Sequence, residues 1–286
     1  MVPVNPDESR ALMADLWDAD SEVWERYWAP IFRQFAAEVV RRAAPKSGER
    51  LLDIGTGTGT ALLMAAPLLG PEGRAVGIDR SQQQAERAKR GASTAGPGVK
   101  VLQMDARALD FPDGWFDAAI SSCGLPFLGM PEALREVHRV LKPGGRFSWA
   151  EWHIDQVAAL RIFADVFAKH RTAHPSARLL RVREAMAPVA AVDEALSTRQ
   201  AFERHLRDAG FTTVSGQTVA HTIHAFTLDS FLEARLARAI PRMEHEEMTT
   251  QARAAFDADV RASLAHLVHG GQFEVLWPIF YLSAVK

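Results

Sequence analysis

Leu51-Leu52-Asp53-Ile54-Gly55-Thr56-Gly57-Thr58-Gly59 is the stretch from which the rest of the chain is read. Its first half is an apolar run with one acid inside it, preceded by the polar turn Lys46-Ser47-Gly48-Glu49. Its second half alternates glycine with threonine and opens into Thr60-Ala61-Leu62-Leu63-Met64-Ala65-Ala66, which has the composition of a helix. Strand, tight glycine turn and helix start, in that order, open the nucleotide site of doubly wound α/β folds. The missing side chains let backbone N–H groups close on a ligand at a helix N-terminus. The turn alone does not say which ligand it holds.

Outward from it, strands and helices alternate. Pro67 to Gly73 is a breaker cluster, and Arg74-Ala75-Val76-Gly77-Ile78-Asp79 is a second strand ending in an acid. Ser81 is placed as the N-cap of a helix reaching Arg90. Val99 to Asp105 is a third strand, again ending in aspartate, and Phe116 to Ser122 is a fourth. A helix over 131–141 stops at Lys142-Pro143-Gly144-Gly145, and a fifth strand runs from Arg146 to Glu151. This rhythm predicts a mostly parallel sheet with helices on both faces, with ligands at the carboxyl ends of the strands. Asp79, Asp105, Ser121 and Glu151 all fall at those ends.

The flanks read as helical. Residues 9–44 carry Trp24, Trp28, Ile31, Phe32 and Phe35 at spacings near three and four, and Pro30 starts or kinks one helix there. Such a stripe packs a helix on the main domain, covers a ligand, or does both. From Asp155 to about Leu196 the chain is helical and rich in Ala and Arg, interrupted at His174-Pro175 and Pro188. Arg199 to Ala209 is a further helix, Phe211 to Val219 and Phe273 to Val285 are two late strands, and helices lie between Leu228 and Val268.

Bulk properties bound the function. The chain has 286 residues, enough for a full core in one large domain, and its 48% hydrophobic content is that of a globular protein. A net charge of -2 shows no nucleic-acid or anionic-membrane signature. The single cysteine, Cys123, excludes an internal disulfide. No apolar run is long enough to span a bilayer, and Met1 to Glu8 lacks a signal-peptide pattern. The expectation is a cytoplasmic protein that binds no nucleic acid and no membrane, with a homodimer left open.

Five blocks then make a specific resemblance: Leu52 to Gly59; Val76-Gly77-Ile78-Asp79; Gln103-Met104-Asp105-Ala106; Phe111 to Asp117; and Leu134 to Gly145. Over roughly residues 46–150 the sequence resembles the class I S-adenosylmethionine (SAM)-dependent methyltransferases, in the ubiquinone/menaquinone-biosynthesis style of the small-molecule branch. The resemblance implies a Rossmann-like, doubly wound, mostly parallel seven-stranded sheet with N-terminal helices and a helical lid insertion. It implies one domain over 1–286: an N-terminal helical lid (1–45), a SAM-binding core (46–152), a helical insertion (153–198), and C-terminal helices with the last two strands (199–286).

The cofactor residues it implies are Asp53, Gly55, Thr56, Gly57, Gly59, Asp79, Arg80, Asp105, Ala106 and Ser121. The glycines would meet the methionyl part and Asp53 its ammonium. A carboxylate at Asp79, twenty positions after Gly59, suits two ribose hydroxyls. Asp105 would accept from the adenine amino group beside the Ala106 backbone, Arg80 would lie on the adenine face, and Ser121 would close the methionyl end. A nicotinamide site fits less well, because its fingerprint wants a glycine where Thr60 stands.

Methyl transfer from a sulfonium is an in-line displacement, helped by alignment and, for some nucleophiles, by a base. Relatives often carry a histidine pair after the fourth strand; here Gly124-Leu125-Pro126-Phe127-Leu128 has no ionisable group and forms an apolar wall. The catalytic candidates are therefore Glu151 and His153, flanked by Trp149 and Trp152, against the plainer reading of a structural acid and a half-exposed imidazole. Asp117 reads as structural, Cys123 as a small buried residue, and Arg178, Arg181 and Arg183 as a solvated face. His170 and His174 stand four apart without a third ligand, so no metal is expected. The reading is methyl transfer to a small hydrophobic or aromatic metabolite of secondary metabolism, at oxygen. A pericyclic, decarboxylating or hydroxylating enzyme on the same fold, or a non-catalytic SAM-binding module, are the alternatives.

Overall fold

The computed structural model describes residues 5–96, 98–125 and 129–286. Strands β1 (Arg50–Ile54), β2 (Arg74–Asp79), β3 (Val99–Gln103), β4 (Phe116–Ser122), β5 (Leu141–Glu151), β6 (Thr212–Phe226), the two-residue β7 (Val268–His269) and β8 (Gln272–Val285) form one sheet. Its order is β3-β2-β1-β4-β5-β8-β6, with β7 paired to β8. β1 runs parallel to β2 and β4, and β3 and β5 continue the parallel run on either side. β8 is antiparallel to both its neighbours. The expected seven-stranded, mostly parallel sheet is therefore present, with β7 as a short addition.

The central strands are covered on both faces, so they are apolar without alternation. Leu51, Leu52 and Ile54 of β1 and Ala118, Ala119 and Ile120 of β4 are all fully buried. The chain leaves β1 toward β2 and β3, then returns to place β4 on the other side of β1. That reversal opens a crevice at the carboxyl ends of β1 and β4, where open α/β sheets bind ligands.

The helices are α1 (Pro6–Val23), α2 (Ala29–Ala43), α3 (Thr60–Ala65), α4 (Gln82–Ala92), α5 (Met130–Val140), α6 (Ala158–His170), α7 (Ala177–Ala195), α8 (Arg199–Asp208), α9 (Leu228–Leu236), α10 (Ala239–Glu246) and α11 (Thr250–Leu264). The N-terminal helical region is divided by a π-helical turn, Trp24–Trp28. Pro30 directly follows the π-helical turn, and the chain stays helical from α1 through it into α2. α7 runs through Pro188 rather than breaking there. β6 extends to Phe226, beyond the expected Val219, because it pairs with β8 along its length, from Thr212↔Val285 to Phe226↔Phe273.

Two features of the resemblance turn out to be fasteners. Asp117 accepts from the Arg50 amide at 2.9 Å and pairs with Lys142, tying the starts of β1, β4 and β5 together. Glu136 accepts from the Leu109 amide at 2.7 Å and from Arg139, whose guanidinium also donates to the carbonyls of Leu109 and Phe111. The loop before β4 is thus held by α5.

Candidate cofactor and acceptor site

A cavity of about 240 Å³ opens at the carboxyl ends of β1 to β4 and is roofed by α1, the π turn, α2 and Val189 of α7. Its floor is Gly55 to Thr58 of the glycine turn, whereas Gly59, expected at the cofactor, faces Ala88 and does not line it. Gly55, Gly57 and Gly59 have φ of +62°, +56° and +89°, a region that L side chains rarely enter. The turn is further pinned by Thr56 N–H donating to Ile78 O and Gly59 N–H to Thr56 O, both at 2.8 Å.

The glycines do different work. A Cβ on Gly55 would lie 2.1 Å from the Gly124 carbonyl oxygen, and one on Gly124 would lie 2.4 Å from the Gly55 oxygen. The loops after β1 and β4 therefore touch backbone to backbone. A Cβ on Gly57 would meet nothing within 4 Å, in a wall of the cavity. Gly55 is glycine for the fold, whereas Gly57 leaves room for a ligand.

Two carboxylates back this turn. Asp53 is 1% exposed; its Oδ2 accepts from Thr56 Oγ1 at 2.7 Å, and its Oδ1 has no hydrogen-bond partner among the described residues. Burial pushes its pKa up to about 7, offset only partly by the Thr56 hydroxyl and the nearby Leu62 amide. Asp79 accepts from Gly57 N–H through Oδ2 and from Ser81 N–H through Oδ1, each at 2.9 Å. Burial raises it to about 6 against those two amides. Asp53 is the more enclosed of the pair, since Asp79 keeps some surface toward the cavity. A buried carboxylate with an unused oxygen beside an open glycine suits a ligand ammonium, and Asp79 retains lone pairs for two hydroxyls. The residues present fit SAM.

At the far end, Asp105 is already engaged. Arg107 donates to its carboxylate from the backbone N at 3.0 Å, Nε at 3.1 Å and Nη2 at 2.8 Å, and Arg80 Nε stands 4.0 Å away. Burial works to raise its pKa, but the Arg107 bonds and charge outweigh it and hold the group below the usual carboxylate range. Arg80, Asp105 and Ala106 line the cavity, as does Arg107.

Three expectations need correction. Ser121 does not reach the cavity: it is fully buried and its hydroxyl donates to Ile54 O at 2.9 Å. Side chains alternate along a strand, so its neighbour Ser122 faces the ligand space instead. Glu151 and His153 are 2% and 3% exposed, and neither lines the cavity. Glu151 Oε1 accepts from the Trp152 amide at 3.1 Å, and His153 Nδ1 from the Asp155 amide at 3.3 Å, capping the 3₁₀ turn Ile154–Gln156. Trp149 is packed in the core between Phe147 and Phe202. Arg183, expected on a solvated face, pairs with the buried Glu244 at 2.6 Å and clamps α7 to α10.

The aromatic wall comes from elsewhere. Trp17, Trp24 and Phe32 line the cavity, with Trp17–Trp24 ring centroids at 5.3 Å and Trp24–Phe32 at 4.8 Å. Behind Phe32 stand Trp152 and Trp277. Arg10, Met13, Ala14 and Trp17 present one face of α1 to the cavity at helical spacing, a signal legible in the sequence but not singled out there. Cys123 also lines the cavity, with φ +56°; burial, with Glu151 nearby, pushes its thiol pKa well up and keeps it protonated. Of the expected apolar wall, Pro126 to Leu128 lie outside the described residues, while Gly124 and Leu125 line the cavity. Among the described residues no group of three or more His, Cys, Asp or Glu is arranged to hold a metal, and no helix is long and apolar enough to cross a membrane.

Comparison with known proteins agrees with this geometry. Residues 51–145 match a family model described as a methyltransferase domain. The chain is similar to the demethylmenaquinone methyltransferase of Symbiobacterium thermophilum, 31% identical over 156 residues covering 51% of this chain and 61% of that protein. It is also similar to the aklanonic acid methyltransferase DauC of Streptomyces sp. strain C5, 32% identical over 137 residues covering 46% and 61%. The chain thus spans about three-fifths of the length of these relatives. The YcgJ protein of Bacillus subtilis shares the fold with a TM-score of 0.55 at 19% identity, over 88% of this chain and 97% of that one. By this match the chain carries a methyltransferase domain over residues 51–145.

Proposed function

We propose that the protein transfers a methyl group from SAM to a small hydrophobic aromatic acceptor, at oxygen. The observation that carries this reading is that one cavity joins the glycine turn and carboxylates at Asp53 and Asp79 to the aromatic wall of Trp17, Trp24 and Phe32. When bound, SAM supplies an electrophilic methyl on a cationic sulfur. Asp53 would hold the ammonium end and Asp79 the ribose hydroxyls, each as a charge-assisted acceptor. Asp105, oriented by Arg107, would receive the adenine amino group beside Ala106, with Arg80 against the ring. Together these residues would hold the cofactor in the cavity that the aromatic wall also lines, where flat acceptors would gain dispersion and edge-to-face contacts. Alignment supplies most of the acceleration in a displacement of this kind. Glu151 and His153, buried and not lining the cavity, are given no catalytic part.

The quinone and polyketide acceptors named for the relatives support a flat aromatic acceptor here. The N-terminal helices and α7 are read as its lid. The test is incubation with methyl-labelled SAM and a panel of naphthoquinols, aromatic carboxylic acids and alkyl amines. Label on an oxygen of an aromatic acceptor is expected. Conversion of an acceptor with SAM unconsumed would sink the reading in favour of non-methylating chemistry.

A further inference from the structure

The mechanism leaves one polar seam unexplained. α1 is fastened to the core by hydrophilic contacts along its carboxyl half, and one of them meets the ribose carboxylate through a single residue. Asp18 Oδ1 accepts from the Ser81 hydroxyl and from the Gln83 N–H at 3.0 Å, so the carboxylate of one helix caps the first turn of another. Ser81 is the N-cap of α4, 2% exposed, and its own Oγ accepts from Gln84 N–H at 3.1 Å. The same residue donates its backbone N–H to Asp79 Oδ1. Asp18, Ser81 and Asp79 thus form one hydrogen-bonded line from α1 to the floor of the cavity.

Around that line the seam is polar rather than greasy. Arg87 of α4 pairs with Glu25 and donates to Ser21 Oγ at 3.2 Å. On the other side Asp20 accepts from Arg238 Nε at 2.5 Å and from the Ala239 N–H at 2.6 Å. Asp20 and Ser21 are only 3% and 4% exposed. Exchanging protein for water at hydrogen bonds changes free energy little compared with stripping water from an apolar face. A helix held this way can undock at modest cost.

Trp17 adjoins Asp18 and carries part of the aromatic wall, while Asp79 lines the same cavity. We propose that Asp18 is a positioning residue. Through Ser81 it couples the docking of α1 to occupation of the Asp79 subsite, so that cofactor binding assembles the acceptor wall. The proposal rests on the SAM reading above. A ligand that engages Asp79 fixes Ser81 and thereby the two donors offered to Asp18. By reciprocity, a docked α1 must raise affinity for that ligand by the same factor.

S-adenosylhomocysteine is the probe, followed by calorimetry and by hydrogen exchange of the α1 amides. In the wild-type protein it should bind and slow exchange in residues 6–23. Asp18→Ala should weaken its binding about tenfold, within the usual range of coupling between sites. It should also abolish the ligand-induced protection of α1. Asp18→Asn keeps an acceptor oxygen and should retain most of both effects, a rescue that a purely structural charge would not show. Ser81→Ala should mimic Asp18→Ala, and the double variant should lose clearly less than the sum of the two. Unchanged binding with unchanged α1 protection in Asp18→Ala would overturn the proposal, as would additive losses in the double variant. A wild-type protein that does not bind S-adenosylhomocysteine would overturn the cofactor reading and this inference with it. A drop in melting temperature of Asp18→Ala without ligand, with ligand-induced protection intact, would reduce Asp18 to a stabilising contact and overturn the coupling.

Discussion

Alanine at Gly57 separates the cofactor reading from the fold. Gly57 adopts φ +56°, where an L residue costs about 1–2 kcal/mol. Replacing glycine also stiffens the unfolded chain, which returns about 0.4–1 kcal/mol. No atom lies within 4 Å of the added Cβ, so no packing penalty is added. The net loss is about 1 kcal/mol, or a melting temperature lower by about 2–4 °C in a domain of this size. The methyl group would nevertheless stand in the cavity. The turn cannot swing aside without breaking the Gly57 N–H bond to Asp79 and the Thr56 N–H bond to Ile78. We expect a folded Gly57→Ala variant whose affinity for S-adenosylhomocysteine falls at least ~100-fold, a change of about 2.7 kcal/mol. Calorimetry beside a thermal melt measures both quantities. Gly55→Ala is the contrast, since its Cβ would sit 2.1 Å from a backbone oxygen and the loops must part. That variant should lose stability first. Binding by a folded Gly57→Ala within threefold of wild type would refute the placement of the ligand over this turn.

Further outcomes follow from the same contacts. Asp53 and Asp79 have folded-state pKa values of about 7 and 6, above the ordinary carboxylate value, so in the ligand-free protein their contribution to stability is fully present below about pH 4 and is lost as pH rises through 6 to 7. Binding of an ammonium ligand runs the other way: affinity should climb from about pH 5 to 8 with proton release near neutrality, and Asp53→Asn should flatten the profile. A slope unaffected by Asp53→Asn in calorimetric titrations would count against the ammonium assignment. Asp20→Ala strands the Arg238 guanidinium and the α10 N-terminal amide, and should cost about 3 kcal/mol, read from the shift of a urea midpoint. Asp79→Asn should weaken S-adenosylhomocysteine binding at least tenfold and lower the melting temperature of the free protein, because its one amide oxygen leaves the Gly57 or the Ser81 N–H facing an NH2 group.

Some of the site was written in local patterns. The apolar runs that carry Asp53 and lead to Asp79 and Asp105 mark strands of a covered parallel sheet, whose carboxyl ends border the crevice where the strand order reverses. The glycine turn could be read for the same reason, since its left-handed conformations are a property of the residue. Other assignments turned on parity or depth. Ser121 and Ser122 are chemically alike and adjacent, and only the pleat decides which one faces the ligand. Glu151 and His153 look catalytic beside tryptophans, yet both side chains are buried, one at the end of β5 and the other capping the 3₁₀ turn after it.

By itself, then, the sequence determined the core strands, the glycine turn and the carboxylates behind it, because apolar runs and glycine signals act over a few residues. Only the tertiary structure decided what roofs the cavity. Asp18 and Asp20 lie more than sixty positions before their partners Ser81, Gln83 and Arg238. Which face of α1 meets the cavity depends on how α4 and α10 pack around it. Long-range packing of that kind leaves no local trace beyond amphipathic spacing, which marks a face but not what the face covers.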